Sequence, residues 1–132
     1  MKYVLLIYNE ERNWTTLAPG ERGAMGREYY ACTERLIEAG QHRAGEGLQP
    51  TATATTVRLR GGQLQVTDGP FAETREQLGG FYLIEAANLD EAIAAAAHVP
   101  ATRTGCVEIR PVMHVPKPTD AAGERAAATA AA

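Results

Sequence analysis

The segment Tyr3-Val4-Leu5-Leu6-Ile7-Tyr8 decides the fold of this chain. It is a short, continuous run of apolar and aromatic residues that favour β structure, which is typical of a strand buried on both faces. The run is far shorter than the roughly 20 apolar residues that a membrane-spanning helix needs. We therefore expect it to form the central strand of a sheet, with the remaining elements arranged around it.

A first helix is predicted after a polar stretch. It begins at Pro19, since proline suits the first helical turn, and it ends at Gly40, where a left-handed glycine cap is expected. Its apolar residues recur at spacings of four, three and four, which places them on one stripe: Met25, Tyr29, Cys32 and Leu36.

A second helix is predicted from Leu89 to about His98. Asn88 offers an N-cap, and Glu91 follows three residues later in the manner of a capping box. Pro100 ends the helix. The expected apolar stripe consists of Leu89, Ile93 and Ala96 or Ala97.

The remaining strands include a hairpin. Thr53–Arg60 and Gln63–Thr67 alternate apolar and polar residues around Gly61-Gly62, a pair suited to the positive φ angles of a two-residue turn. Further strands are predicted at residues 41–47, 80–85 and 106–112. The order strand, helix, strand, hairpin, strand, helix, strand predicts an α+β, ferredoxin-like βαββαβ fold with an inserted β-hairpin.

Composition limits the classes of function. The 132 residues suffice for one domain, predicted at 1–115, and the Pro/Ala-rich residues 116–132 are expected to form a disordered tail. A net charge of −3 without a basic run argues against direct binding of nucleic acid. With no membrane segment and no signal peptide, we expect a cytoplasmic protein. Cys32 and Cys106 lack motif spacing and are expected to be buried thiols.

Residues 66–84, VTDGPFAETREQLGGFYLI, resemble the DGPF signature of the YCII-related family. GEGLQP at 45–50, LDEA at 89–92 and VEIRPV at 107–112 are similar to other blocks of that family, so the resemblance covers about residues 1–115. It implies a dimeric α+β barrel, in which the ferredoxin-like sheets of a homodimer face each other around a cavity. A second copy is also the simplest cover for the open face of such a sheet.

The resemblance implies two alternative functions. Proteins with this barrel include muconolactone isomerases, cofactor-free monooxygenases and a dehydrochlorinase, which predicts a cofactor-independent enzyme for a small anionic or aromatic molecule. The family is also similar to proteins encoded beside extracytoplasmic-function sigma factors, which predicts instead a ligand-sensing or adaptor protein associated with a sigma factor. Enzymatic relatives use a His-Asp pair with its histidine near the first helix, whereas that helix carries Glu28, Tyr29 and Tyr30 here.

Strand alternation suggests a charged pair for the cavity. If Val107 and Ile109 face the helices, Glu108 and Arg110 face the other way. A salt bridge at the dimer interface is one interpretation of this pair. Recognition of a carboxylate or another anion by the Arg110 fork is the other.

The same alternation in the second strand groups His42 with Glu46. A histidine beside a carboxylate is suited to general acid-base catalysis near neutral pH. The alternative is an exposed residue just after the helix cap. No metal-ligand spacing links His42 to His98 or His114, so no metal is expected.

Asp68 of the Asp-Gly-Pro-Phe motif is the second catalytic candidate. Its carboxylate lies at the cavity mouth in one interpretation, with Arg75 or Glu73 nearby. In the other, it accepts hydrogen bonds from amides two residues on and Phe71 fills an apolar hole, so the motif is a structural turn. We expect His42, Glu46, Asp68, Glu108 and Arg110 to converge on one cavity.

Overall fold

The computed structural model describes residues 1–118. These residues form one four-stranded sheet and one separate two-stranded hairpin. β1 (Lys2–Asn9) pairs with β5 (Gln77–Glu85) on one side and with β6 (Cys106–Pro111) on the other, and β2 (His42–Gly47) pairs with the far side of β5. The strand order is β2-β5-β1-β6, and every pair is antiparallel. The predicted ferredoxin-like βαββαβ fold with an inserted hairpin is confirmed.

The two faces of the sheet differ in burial. Tyr3, Leu5 and Ile7 of β1 point to the helices and are buried, together with Tyr82 and Ile84 of β5. We call this side the helix face. The opposite side, the outer face, carries residues that are only half-buried: Val4, Leu6, Tyr8, Phe81 and Leu83. β1 is thus buried on one face within a single chain, and not on both as its apolar run predicts.

The first predicted helix is present as α2 (Pro19–Glu38), after a short helix α1 (Glu11–Thr15) that the polar sequence does not predict. Gly40 has a φ of 70° and ends α2 as expected, because only glycine adopts that angle without strain. Cys32 and Leu36 are the residues of α2 that are buried against the sheet.

α3 (Leu89–Ala96) begins as predicted and ends two residues before His98. The side chain of Asn88 accepts a hydrogen bond of 2.9 Å from the amide of Glu91, and the Glu91 carboxylate accepts one of 2.6 Å from the amide of Ala87. The expected apolar stripe is confirmed at Ala96 but wrong at Leu89 and Ile93, which are about half exposed, and the other buried residues of the helix are Ala92 and Ala95. Small alanine side chains allow the helix to approach the sheet closely.

The inserted hairpin projects as an arm. β3 (Thr55–Arg60) and β4 (Gln63–Asp68) form a ladder with each other, joined by Gly61 and Gly62 with φ angles of 55° and 75°. At the base, the amide of Gly69 donates to the carbonyl of Ala54 over 2.8 Å. The two strands form a sheet of their own, and we call them the hairpin arm.

No helix within residues 1–118 is long and apolar enough to cross a membrane. Of the segment that is predicted to be a disordered tail, residues 119–132 lie outside the described part of the chain.

Replacing Asn88 by alanine should lower the free energy of unfolding by about 1 kcal/mol, because the amide of Glu91 loses its acceptor at the start of α3. Urea unfolding at 25 °C measures this change. Asn88→Ser, which keeps an oxygen acceptor, is the control and should lose a few tenths of a kcal/mol. Equal losses in the two variants would show that the cap does not stabilise α3.

Candidate functional site

Glu108 and Arg110 lie on the outer face near the edge of the sheet that β6 forms. Glu108 is paired across the ladder with Leu6, and Arg110 is paired with Val4. Nη2 of Arg110 lies 3.2 Å from Oε1 of Glu108, and the two side chains remain 68% and 44% exposed. Both alternatives predicted for this pair therefore remain open, since an exposed ion pair is worth only about 0–1 kcal/mol and exchanges partners readily.

Glu46 also lies on the outer face, at the opposite edge. One row across the sheet runs from Glu46 through Phe81 and Leu6 to Glu108. Three strand spacings separate the two glutamates, which amounts to about 14 Å. The outer face therefore has an apolar centre with charged side chains at both edges.

His42 lies on the other side of the sheet, so the expectation that it shares a face with Glu46 is wrong. The register of β2 shifts between His42 and Ala44: His42 is paired with Ile84 of the helix face, whereas Ala44 is paired with Leu83. This bulge contains one extra residue, Arg43, and an extra residue reverses the alternation of side chains.

The His42 ring packs on the helix face against Tyr82. The two rings meet edge to face, with their centroids 6.2 Å apart. The Tyr82 hydroxyl hydrogen-bonds with Oγ1 of Thr33 over 2.8 Å, and burial raises the pKa of Tyr82 to about 12. Burial likewise raises the pKa of the Cys32 thiol. His42 therefore belongs to a packing cluster beneath the helices and not to the outer face.

Asp68 is the last residue of the hairpin arm and is exposed. Within residues 1–118 its carboxylate forms no hydrogen bond or ion pair, and the expected capping of an amide two residues on is wrong because that residue is Pro70, which has no N–H to donate. Gly69 follows with a φ of 101°, a conformation that requires glycine. Phe71 is 78% exposed and does not fill an apolar hole, because the loop carries it away from the core.

Arg75 lies in a cleft where β1 ends and β5 begins. This polar cleft has a volume of about 530 Å³. Its lining residues are Glu10, Glu11, Arg12, Arg75 and Gln77. Apart from Arg75 they are absent from the predicted site, although three charged residues directly after the central strand were a signal for it. Glu73, the alternative neighbour of Asp68, is exposed and does not line the cleft.

Two guanidinium groups hold Glu10 in the polar cleft. Its carboxylate accepts hydrogen bonds from Nε of Arg12 over 2.6 Å and from Nε of Arg75 over 3.4 Å. Arg12 first, and then Arg75, lower the pKa of Glu10 below its ordinary value. The cleft therefore contains two guanidinium groups and two carboxylates, and the Glu10 carboxylate pairs with both guanidinium groups.

Glu11 has a different role, because it ties the approach to the hairpin arm to the body. Its carboxylate accepts hydrogen bonds from the amide of Thr51, at 2.6 Å, and from the Thr51 hydroxyl, at 2.9 Å. Its own amide donates to the side-chain oxygen of Gln77 over 2.9 Å. These contacts join the end of β1, the start of β5 and the segment that leads into the arm.

The five residues expected in one cavity therefore occupy three places in the single chain. Glu46, Glu108 and Arg110 share the outer face, His42 lies on the helix face, and Asp68 lies on the arm. Within residues 1–118, no group of three or more His, Cys, Asp or Glu side chains is placed to hold a metal ion.

Comparison with known proteins gives three findings. The family model of the YCII-related domain matches residues 1–116. An uncharacterized protein from Rhizobium meliloti (strain 1021) is 40% identical over 114 residues, which cover 85% of this chain and 92% of that protein. The structure of 5-chloro-2-hydroxyhydroquinone dehydrochlorinase from Burkholderia phenoliruptrix AC1100, in complex with 2,5-dihydroxybenzoquinone, is 16% identical; it aligns with a TM-score of 0.45 over 87% of this chain and 96% of that chain.

The Glu10 carboxyl should titrate below its ordinary pKa of 4.5, and Arg75→Ala should raise its midpoint. Arg12→Ala should raise it further, because Arg12 forms the shorter hydrogen bond. An NMR titration of the side-chain carboxyl carbon measures the three midpoints. If neither substitution moves the midpoint, the two guanidinium groups do not act on Glu10 in solution.

Proposed function

The chain belongs to the YCII-related family, and from that premise we propose that it binds a small anionic or aromatic molecule on the outer face of its sheet, which a second copy encloses in a homodimer. It then acts as an enzyme that uses no cofactor. The proposal rests on the geometry of the outer face.

The observation that carries the proposal is the combination of an apolar centre with charged edges. Val4 and Leu6 of β1 lie beside Phe81 and Leu83 of β5, and all four are half-buried in the single chain. Ligand sites combine such an apolar floor with a few polar groups that fix orientation. An aromatic ring can lie on the apolar centre of the outer face, and its substituents then reach the edge that carries Glu108 and Arg110.

Arg110 supplies the group that recognises an anion. Its present partner, Glu108, holds it in an exposed ion pair worth about 0–1 kcal/mol, so a ligand carboxylate can replace that partner at little cost. A carboxylate bound by the guanidinium fork forms two charge-assisted hydrogen bonds, each worth about 1.5–3 kcal/mol where water is excluded. The balance favours the ligand once the face is enclosed.

Enclosure is the role of the second copy. A sheet face with an apolar centre remains in contact with water in the single chain, and burial of apolar surface is worth about 25 cal/mol per Å². Two identical faces can cover each other around a two-fold axis. Exclusion of water also strengthens the interaction of Arg110 with an anion, since the effective dielectric constant falls.

Proton transfer falls to Asp68. Of the two catalytic candidates, His42 packs beneath the helices, whereas the Asp68 carboxylate is exposed and unpaired within the described residues. A carboxylate in a water-excluded site is a competent general base. In this proposal Arg110 orients the substrate and Asp68 removes or returns a proton.

Benzoate is a suitable probe, because it combines an aromatic ring with a carboxylate. We expect it to bind with amide shifts at Leu6, Phe81 and Glu108 in NMR spectra of the ¹⁵N-labelled protein. Arg110→Ala should weaken benzoate binding about 100-fold, the effect of losing two charge-assisted hydrogen bonds of about 1.5 kcal/mol each. Phenol, which has no carboxylate, should bind the two proteins equally.

Arg103→Ala is the matched control, because Arg103 also forms an exposed ion pair, with Glu28, away from the outer face. It should leave the affinity for benzoate unchanged. Benzoate shifts confined to the helix face, or equal weakening by both arginine substitutions, would refute the proposed site.

A further inference from the structure

One face of the hairpin arm carries two neighbouring apolar cross-strand pairs. Val57 is paired with Val66, and Leu59 is paired with Leu64, so the four side chains project from the same side of the two-stranded ladder. They are 57–66% exposed. We call these four residues the arm patch.

The opposite face of the arm is polar. Each of its cross-strand pairs combines polar side chains: Thr56 with Thr67, Arg58 with Gln65, and Arg60 with Gln63. Such segregation is typical of a sheet that packs on one side and meets water on the other. The polar side meets water. Among residues 1–118 the arm patch has no partner element, because β3 and β4 each have extensive contacts only with the other.

An isolated two-stranded hairpin is marginally stable in water unless it packs against something. The arm patch amounts to an apolar surface on the order of 300 Å², the size that marks interaction sites on soluble proteins. The Gly69–Ala54 hydrogen bond closes the base of the arm, and the Glu11–Thr51 hydrogen bonds tie the segment that leads into the arm to the body.

Asp68 lies on the same face as the arm patch. It is paired with Thr55 at the base of the ladder, two residues beyond Val66 and four residues beyond Leu64. Because side chains alternate along a strand, a partner that covers the Val57–Val66 end of the arm patch lies next to the Asp68 carboxylate. Docking at the patch and enclosure of Asp68 are thus one event.

The area favours a second copy of this chain as the partner. One arm patch against an equal area of a foreign protein buries on the order of 600 Å² in total, which is too little for a stable complex. In a two-fold dimer both arms dock, and the total becomes on the order of 1,200 Å², the lower bound of stable interfaces. The half-buried apolar centre of the outer face adds to the same interface.

We propose that the arm patch docks on a second copy of this chain, and that this contact encloses Asp68, so that the site containing the signature aspartate is complete only in the dimer. This inference rests on the homodimer of the proposed function and adds its means of assembly. Each subunit covers the signature aspartate of the other.

The first experiment compares two double variants of the full chain. Leu59→Ser with Leu64→Ser removes the centre of the arm patch, while Arg58→Ser with Gln65→Ser changes the neighbouring pair on the polar face. Sedimentation equilibrium should show that the leucine variant raises the dimer dissociation constant about 100-fold, whereas the control changes it by less than about threefold. Amide spectra of the core residues show that the body remains folded, since the arm is not part of the core.

The second experiment measures whether Asp68 is enclosed. Asp68→Cys is introduced together with Cys106→Ser, which leaves Cys32 as the buried native thiol. Iodoacetamide should label the introduced thiol about tenfold more slowly at concentrations that favour the dimer than at dilution. In the Leu59→Ser and Leu64→Ser background, labelling should be fast at both concentrations.

The outcomes separate this inference from the proposed function. A wild-type dimer that both double variants retain, or labelling that does not depend on protein concentration, overturns the arm inference while benzoate binding at Arg110 still stands. A dimer that the leucine variant abolishes, in a wild-type protein without benzoate binding, supports the arm inference and refutes the proposed function. A wild-type protein that stays monomeric throughout overturns both.

Discussion

The alternation of side chains along β1 is the constraint on which the rest of the structure depends. Tyr3, Leu5 and Ile7 are buried beneath α2 and α3, so Val4 and Leu6 must emerge on the other side. Since β5 and β6 are both paired with β1 in fixed register, their own side chains are sorted between the same two faces. The helices thereby determine which residues are left on the outer face.

Two kinds of charged contact border this sheet, and in both of them the arginine side chains are exposed. Glu108 and Arg110 form an exposed pair on the outer face, and Glu10 bridges two arginines at the end of β1. Exposed pairs contribute little to folding stability. The strands nevertheless fix the backbone positions of these charged residues, so the side chains stay close to each other and can still exchange their ion-pair partners.

The sequence predicted what depends on local chemistry: the two-glycine turn of the arm, the cap at Gly40 and the Asn88–Glu91 box. The predictions from sequence were wrong where contacts between distant parts of the chain determine the structure. The bulge that turns His42 away depends on the close approach of β2 and β5, at which a Cβ on Gly45 would lie 2.7 Å from Cδ1 of the Tyr82 ring. The alanine packing of α3 and the polar cleft likewise arise from elements that are distant in sequence.

The hydrogen bond that closes the base of the hairpin arm has a consequence for evolution. The chain enters the arm at Ala54 and leaves it at Gly69, and the two residues are joined by a hydrogen bond of 2.8 Å. Residues can be added to or removed from the arm in pairs without altering the register of the four-stranded sheet, because both ends of the insertion stay where they are. The arm is thus a module whose length and surface can diverge among descendants of one ancestor while the body that carries it is conserved.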